Sequence, residues 1–220
     1  MATIKERFKA KADELSGEIK DMLKEHGNKK IGEVVLSQIY QGMRGITGLV
    51  SETSLLDARE GIRFRGFTIP QLQKKLPKAP KGNEPLPEGL FYLMLMGELP
   101  SESDVNDITN AWQRRSHVPN HVFDAIDALP KSSHPMTQFV VAIMALQTES
   151  VFVRKYAEGL NKKDYWEAVY DDAMNLINKA SKFLYSIKSI NVESLRPEAV
   201  MPDLAKAVLS ERGLQSPIGQ

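Results

Sequence analysis

The first apolar positions of the chain, Ile4, Phe8, Leu15, Ile19 and Leu23, recur at three- and four-residue multiples among charged neighbours. That spacing predicts an amphipathic helix, closed at Gly27 after Lys24 and His26. Residues 31–42, IGEVVLSQIYQG, predict a second, short helix ending at Gly42. Gly42, Gly45 and Gly48 then surround Arg44 in a segment able to turn tightly. From Ser54 to Ile69 the period changes to two, with Ile62 and Phe64 alternating against Arg63 and Arg65. Asp57–Gly61 supplies a turn, so a small β-hairpin is predicted. Residues 76–89 are rich in Pro and Gly and read as an exposed loop.

From Leu90 the pattern is helical to nearly the end of the chain. Leu90–Met96 carries so few polar residues that its helix is expected to be buried all round. Ser101 and Asp104 predict a capped start for a helix running to about Arg115. Pro119 opens another, to Leu129, and His134-Pro135-Met136 a third, continuing through Phe139–Leu146 to about Ala157. Asn161 caps a fourth, with Tyr165, Val169, Ala173, Leu176 and Ile177 on one stripe. Beyond Ser186 the periodicity breaks at Pro197 and Pro202, leaving a short helix over Asp203–Arg212 and a mobile terminus after Gly213. No internal repeat is visible. The fold class is mainly α with one small β-hairpin, organised as residues 1–185 plus a divergent tail, 186–220.

Composition narrows the function classes. Of 220 residues, 42% are hydrophobic, enough for a sizeable core, and a net charge of +1 argues against broad capture of nucleic acid or an anionic membrane surface. The absence of cysteine removes disulfides, thiol nucleophiles and thiolate metal sites together. No apolar stretch approaches the roughly 20 residues of a membrane span. The N-terminus has no apolar core of a secretory signal, and its acids, Glu6, Asp13, Glu14, Glu18 and Asp21, are unlike a mitochondrial presequence. It reads as a mature helix.

Candidate chemistry is sparse. His117 and His121 have the spacing that places two imidazoles on one helical face, but Pro119 between them marks a helix start, and no H-E-x-x-H sequence occurs. His134 precedes a Pro at a helix N-terminus and reads as a cap. Asp171 and Asp172 are adjacent, point to different faces, and read as solvated surface. Trp112 and Trp166 read as core. Arg44, Arg63 and Arg65 lie near glycines, where they either hold an anion or pair with local acids such as Asp57 and Glu60. No catalytic residue and no metal ligand is assigned, and no bound cofactor is expected.

A set of longer motifs adds to this. Gly42-Met-Arg-Gly-Ile-Thr-Gly-Leu-Val50, Glu52-Thr-Ser-Leu-Leu-Asp57, Glu60-Gly-Ile-Arg-Phe-Arg-Gly-Phe67, Glu84-Pro-Leu-Pro-Glu-Gly-Leu-Phe91, His134-Pro-Met136, Tyr156-Ala-Glu-Gly159 and Tyr165-Trp-Glu167 resemble eukaryotic-type citrate synthase, in order, over residues 5 to about 180. The resemblance implies the N-terminal half of that family's large helical domain. It implies that the family's acid–base residues, one Asp and two His that condense acetyl-CoA with oxaloacetate, belong to a later part of the family's chain; here no histidine follows His134. It places Arg44 where the family approaches the CoA phosphates, and Lys162 where the family has an Arg reaching the CoA of a neighbouring subunit. Lys162 keeps the charge and loses the bidentate fork. It further implies a mitochondrial location. Half of a helical domain would leave faces such as Leu90–Met96 and Phe139–Leu146 uncovered. The expectation is therefore a non-catalytic structural or interaction subunit, covered by other protein subunits or a second copy, with a residual CoA contact, no nucleic acid and no membrane span. The alternative is part of an active citrate synthase.

Overall fold

A computed structural model describes residues 2–79 and 82–187; the expected helix at Asp203–Arg212 and the terminus after it lie outside them. The described chain is mainly helical, with a three-stranded antiparallel sheet in the order β1-β2-β3. It forms two compact units. The first comprises Met1–Leu76 and Gly89–Ser101, the second Pro77–Glu88 and the described residues from Glu102 onward.

In the first unit, α1 spans Ile4–His26, the expected helix. Thr3 and Glu6 form a reciprocal capping box, with the Glu6 amide donating to Thr3 Oγ1 at 3.2 Å and the Thr3 amide to Glu6 Oε2 at 2.7 Å. These bonds also hold the Glu6 carboxyl below its usual range, the Thr3 amide foremost. Helix α2 is shorter than expected: only Leu36–Tyr40 is helical, not 31–42. Gly32 and the β-branched Ile31, Val34 and Val35 precede it, and such residues favour extended backbone.

The hairpin is present, with Ser54–Asp57 (β1) paired to Gly61–Phe64 (β2) in the register Leu55↔Arg63 and Leu56↔Ile62. Asp57 Oδ1 accepts from the Arg59 and Glu60 amides at 2.7 and 2.9 Å, closing the turn. A third strand, Phe67–Thr68 (β3), goes beyond the expected hairpin; it returns on β2 after a turn at Arg65-Gly66, where both residues take positive φ. Thr68 then caps α3, Ile69–Lys75. Leu72 and Leu76 bury against Leu93, with Phe64, Phe67 and Leu90 around them. Leu93 belongs to α4, Pro87–Met96, whose Tyr92, Leu93 and Met96 are buried while Leu90, Phe91, Met94 and Leu95 are partly so. The helix is thus less enclosed than its composition suggests.

In the second unit, the loop before α4 is drawn together by a bridge between Lys78 and Pro85. Helix α5, Glu102–Gln113, buries Val105, Ile108 and Trp112. Helix α6, Asn120–Asp127, follows Pro119 as expected and packs on α7, Pro135–Ala145. Val118, Val122, Ile126, Ala142 and Leu146 form the core between them. The single helix expected from His134 to Ala157 is broken. After α7 comes a 3₁₀ turn, Leu146–Glu149, then α8, Val151–Ala157, bent by 42° from the preceding segment. A 3₁₀ turn at Lys162–Asp164 leads into α9, Tyr165–Ser186, against which α5, α7 and α8 pack. No single helix among the described residues is long and apolar enough to cross a membrane.

Candidate functional site

Arg44 sits at the tip of a loop whose backbone is left-handed on either side of it: φ is +70° at Gly42, +61° at Met43 and +74° at Gly45. Only glycine adopts that conformation without cost, which explains the pair of glycines flanking Met43-Arg44. The loop is tied to α2. The Met43 amide donates to the Gln38 carbonyl at 2.8 Å, and Gln38 Nε2 reaches the Arg44 carbonyl at 3.5 Å. Gln38 therefore holds the Arg44 backbone while the arginine side chain stands exposed. This is a presented cation on a held loop, in the first unit.

Arg63 and Arg65 are placed differently. Arg63 Nε and Nη2 both donate to Glu60 Oε2, at 3.2 and 2.6 Å, and Nη1 to the Gly66 carbonyl at 3.2 Å. Arg65 donates twice to the Met94 carbonyl, at 3.2 and 2.8 Å, and once to Glu52 Oε2 at 3.4 Å. Of the two alternatives for these arginines, local pairing is the one realised, and Arg65 also caps the C-terminal end of α4, where carbonyls lack helical partners. Asp57, expected as an acid partner, serves chiefly the turn amides; they hold its carboxyl below its usual range, the Glu60 amide first and the Arg59 amide next.

Lys162 lies in the second unit, in the 3₁₀ turn ahead of α9, and is exposed. Asn161 Oδ1 accepts from the Lys163 amide at 3.2 Å, so the predicted cap forms, although on this turn and not on α9 itself. Lys162 is thus set at a well-defined helix entrance. Three aromatic rings, Phe152, Tyr156 and Tyr165, cluster at the same helix start, with Phe152 edge-on to Tyr165 at 5.1 Å.

The histidines do structural work or stand in solvent. His134 Nδ1 accepts from the Met136 amide at 3.2 Å, the cap read from sequence. His121 Nε2 lies 3.1 Å from the Ala145 carbonyl. His26 is exposed, 3.8 Å from Glu25, and His117 is exposed ahead of α6. No group of three or more His, Asp or Glu side chains able to hold a metal occurs among the described residues.

One residue read as solvated surface has a structural task. Asp172 of α9 accepts from Ser150 Oγ at 2.6 Å, from the Val151 amide at 2.7 Å and from the Phe152 amide at 3.0 Å. These are donors that the first turn of α8 cannot satisfy internally. The break after α7 is therefore supported from a helix 20 residues downstream, which no local pattern could reveal. Glu88 likewise escapes a reading of the sequence. It is 1% exposed, takes one hydrogen bond from Thr109 Oγ1 at 3.3 Å, and leaves Oε2 buried without a partner. Burial raises its carboxyl above the ordinary value. Trp112 is core as expected, whereas Trp166 is half-buried.

Comparison with known proteins places these features in a family. Residues 42–211 match the family model described as citrate synthase, C-terminal domain. The chain is 53% identical over 176 residues to a 2-methylcitrate synthase, mitochondrial, of Yarrowia lipolytica, covering 80% of this chain and 38% of that protein. It is 53% identical over 180 residues to a citrate synthase, mitochondrial, of Emericella nidulans, covering 80% and 37%. With the citrate synthase, mitochondrial, of Saccharomyces cerevisiae it shares 48% identity over 202 residues, covering 90% and 42%. The chain thus spans about two fifths of the length of the curated relatives it matches. Among solved structures, the citrate synthase of the archaeon Thermoplasma acidophilum, in a ternary complex with carboxymethyl coenzyme A and oxaloacetate, has the same fold, with a TM-score of 0.52 at 18% identity over 76% of this chain and 42% of that one. With a family model matched over more than half its length, this chain belongs to the citrate synthase family.

Proposed function

We propose that this chain is a non-catalytic structural and interaction part of a larger assembly of citrate synthase type, located in mitochondria. The observation that carries this is the run of exposed apolar side chains from Ile31 to Leu56, including Ile31 (81% exposed), Tyr40 (85%), Val50 (85%) and Leu56 (75%). A stretch of chain this rich in exposed large apolar side chains supports contact with another protein. Other protein subunits or a second copy cover it. Residues 1–185 supply the helical framework, and 186–220 a tail of different character. Arg44 and Lys162 retain a contact with CoA phosphates, each as an exposed cation at a fixed backbone position. The mitochondrial location is taken from the names of the relatives.

A coupled assay for CoA release tests the non-catalytic part. The purified chain shows no oxaloacetate-dependent turnover; turnover by the chain alone overturns the proposal. Calorimetric titration with CoA tests the contacts: weak binding that Arg44→Ala or Lys162→Ala reduces is the expected result, and no heat at all refutes it. Fractionation of source cells checks the location.

A second reading is favoured by the identity of 48–53% to named synthases: the chain is one piece of an active enzyme condensing acetyl-CoA with oxaloacetate. The intact mass of the native protein separates the two. A mass near twice 24.6 kDa supports the second reading, and 24.6 kDa in a stable complex supports the first.

A further inference from the structure

In the second unit a groove runs along one face of α9, bordered on its other side by the end of α7 and the start of α8. It holds about 420 Å³, and its walls are mostly apolar, with Ile143, Leu146 and Phe152 facing Val169, Ala173 and Leu176. That volume falls in the range of small-molecule sites. Val169, Ala173 and Leu176 follow one another by four and three positions, so they share one line on α9. The next position on that line is Lys179, and the whole stretch rises about 15 Å at 1.5 Å per residue.

Lys179 is the unusual member of the lining. It is 9% exposed and lines the groove, yet it has no hydrogen-bond or ion-pair partner among the described residues. A cation withdrawn from water without an opposite charge is costly, so an anion placed against it is favoured. Two carboxylates share the groove, and neither pairs with Lys179. Asp172 is engaged by Ser150 Oγ and by the Val151 and Phe152 amides, while Glu149 stands exposed.

We propose that this groove binds a free alkyl monocarboxylate, with its chain along Val169, Ala173 and Leu176 and its carboxylate on the Lys179 ammonium. Each part of the ligand answers a part of the wall. A neutral chain covers the apolar line and leaves Lys179 without a counter-charge. A phosphate monoester or a dicarboxylate brings a second negative charge into a site that already holds Asp172 and Glu149, which repel it. A single carboxylate on an apolar chain satisfies both conditions. Neither Arg44 nor Lys162 lines the groove, so this site goes beyond the CoA contacts proposed above and does not rest on the assembly reading.

Calorimetric titration of the full chain with octanoate, and in parallel with 1-octanol, tests the site. The expected result is one octanoate per chain with a Kd below about 1 mM, and binding of octanol weaker by about tenfold or more. Lys179→Met keeps the length and apolar stem of the side chain and weakens octanoate by about tenfold, bringing it level with octanol. Lys179→Arg retains binding to within about threefold, because the charge remains. Leu176→Asp, at a position 38% exposed and so tolerant of change, also weakens octanoate by about tenfold, and Glu149→Gln tightens it about twofold. Absence of octanoate binding up to about 2 mM overturns the inference, including the case in which another stretch of the chain already fills the groove. Octanol binding as tightly as octanoate, or octanoate binding that ignores both Lys179→Met and Leu176→Asp, overturns it as well.

Discussion

Replacing Asp172 by Ala removes three acceptor contacts from the start of α8 at once: the hydroxyl of Ser150 and the amides of Val151 and Phe152. Ser150 Oγ itself accepts from the Val153 amide at 3.1 Å, so the hydroxyl stays in place and must find another acceptor. An amide orphaned in a buried site costs about 1–3 kcal/mol, and bonds to an ionised acceptor sit at the stronger end. Asp172 lines an open apolar groove with Ser150, Phe152 and Lys179, so water reaches part of the vacated space. Taking about 1 kcal/mol for each of the three donors gives a loss of about 3 kcal/mol. Asp172→Asn keeps one carbonyl oxygen and forfeits the charge, for a loss of about half that. Both tryptophans, Trp112 and Trp166, belong to the second unit, so intrinsic fluorescence during urea denaturation reads that unit without interference from the first. A double cycle with Ser150→Ala should show coupling, because one bond of the three is shared. A loss under about 0.5 kcal/mol for Asp172→Ala, within the range of an ordinary surface change, would refute the idea that this carboxylate supports the break.

Three further outcomes are expected. Ile126, 1% exposed in the core between α6 and α7, should cost about 3 kcal/mol when truncated to Ala, read by the same fluorescence titration. Arg65→Ala should loosen the end of α4 by about 1–2 kcal/mol, seen as faster hydrogen exchange at Gly97; Arg65→Gly should lose slightly less, because it relieves the φ of +47°. Glu88, whose carboxyl is raised by burial, binds its proton more tightly folded than unfolded. Its contribution is intact below the unfolded value near 4.5 and is lost as pH rises through the raised folded value. Glu88→Gln should flatten that decline and leave the variant more stable than wild type at neutral pH, as urea midpoints across pH will show.

Legibility along the chain tracks the range of the interactions. Helix α1, the hairpin turn at Asp57, and the His134 cap all rest on residues within four positions of each other, and local spacing exposes them; the Thr3–Glu6 capping box is equally local but is not singled out by the apolar pattern. The interruption at Ser150 rests on Asp172, and the end of α4 on Arg65, 29 positions away; neither leaves a local trace. Apolar spacing over 31–42 overstates α2, because it takes no account of the extended preference of Val34 and Val35. The third strand is only two residues long, below the length at which alternation registers. Lys162 is marked by resemblance alone, and Arg44 by resemblance and by the glycines around it; nothing in periodicity singles out an exposed cation.

The first unit is discontinuous in sequence, and that bears on how the chain acquires its structure during synthesis. Leu72 and Leu76 have no complete core until Leu90 and Leu93 have been made, and Arg65 has no helix end to grip until Met94 exists. The N-terminal 76 residues must therefore wait, with their sheet and helices only partly stabilised, while the 77–88 insertion of the other unit is added. Nascent chains halted before residue 89 should be protease-sensitive throughout this segment, and protection should arrive in one step as α4 is completed.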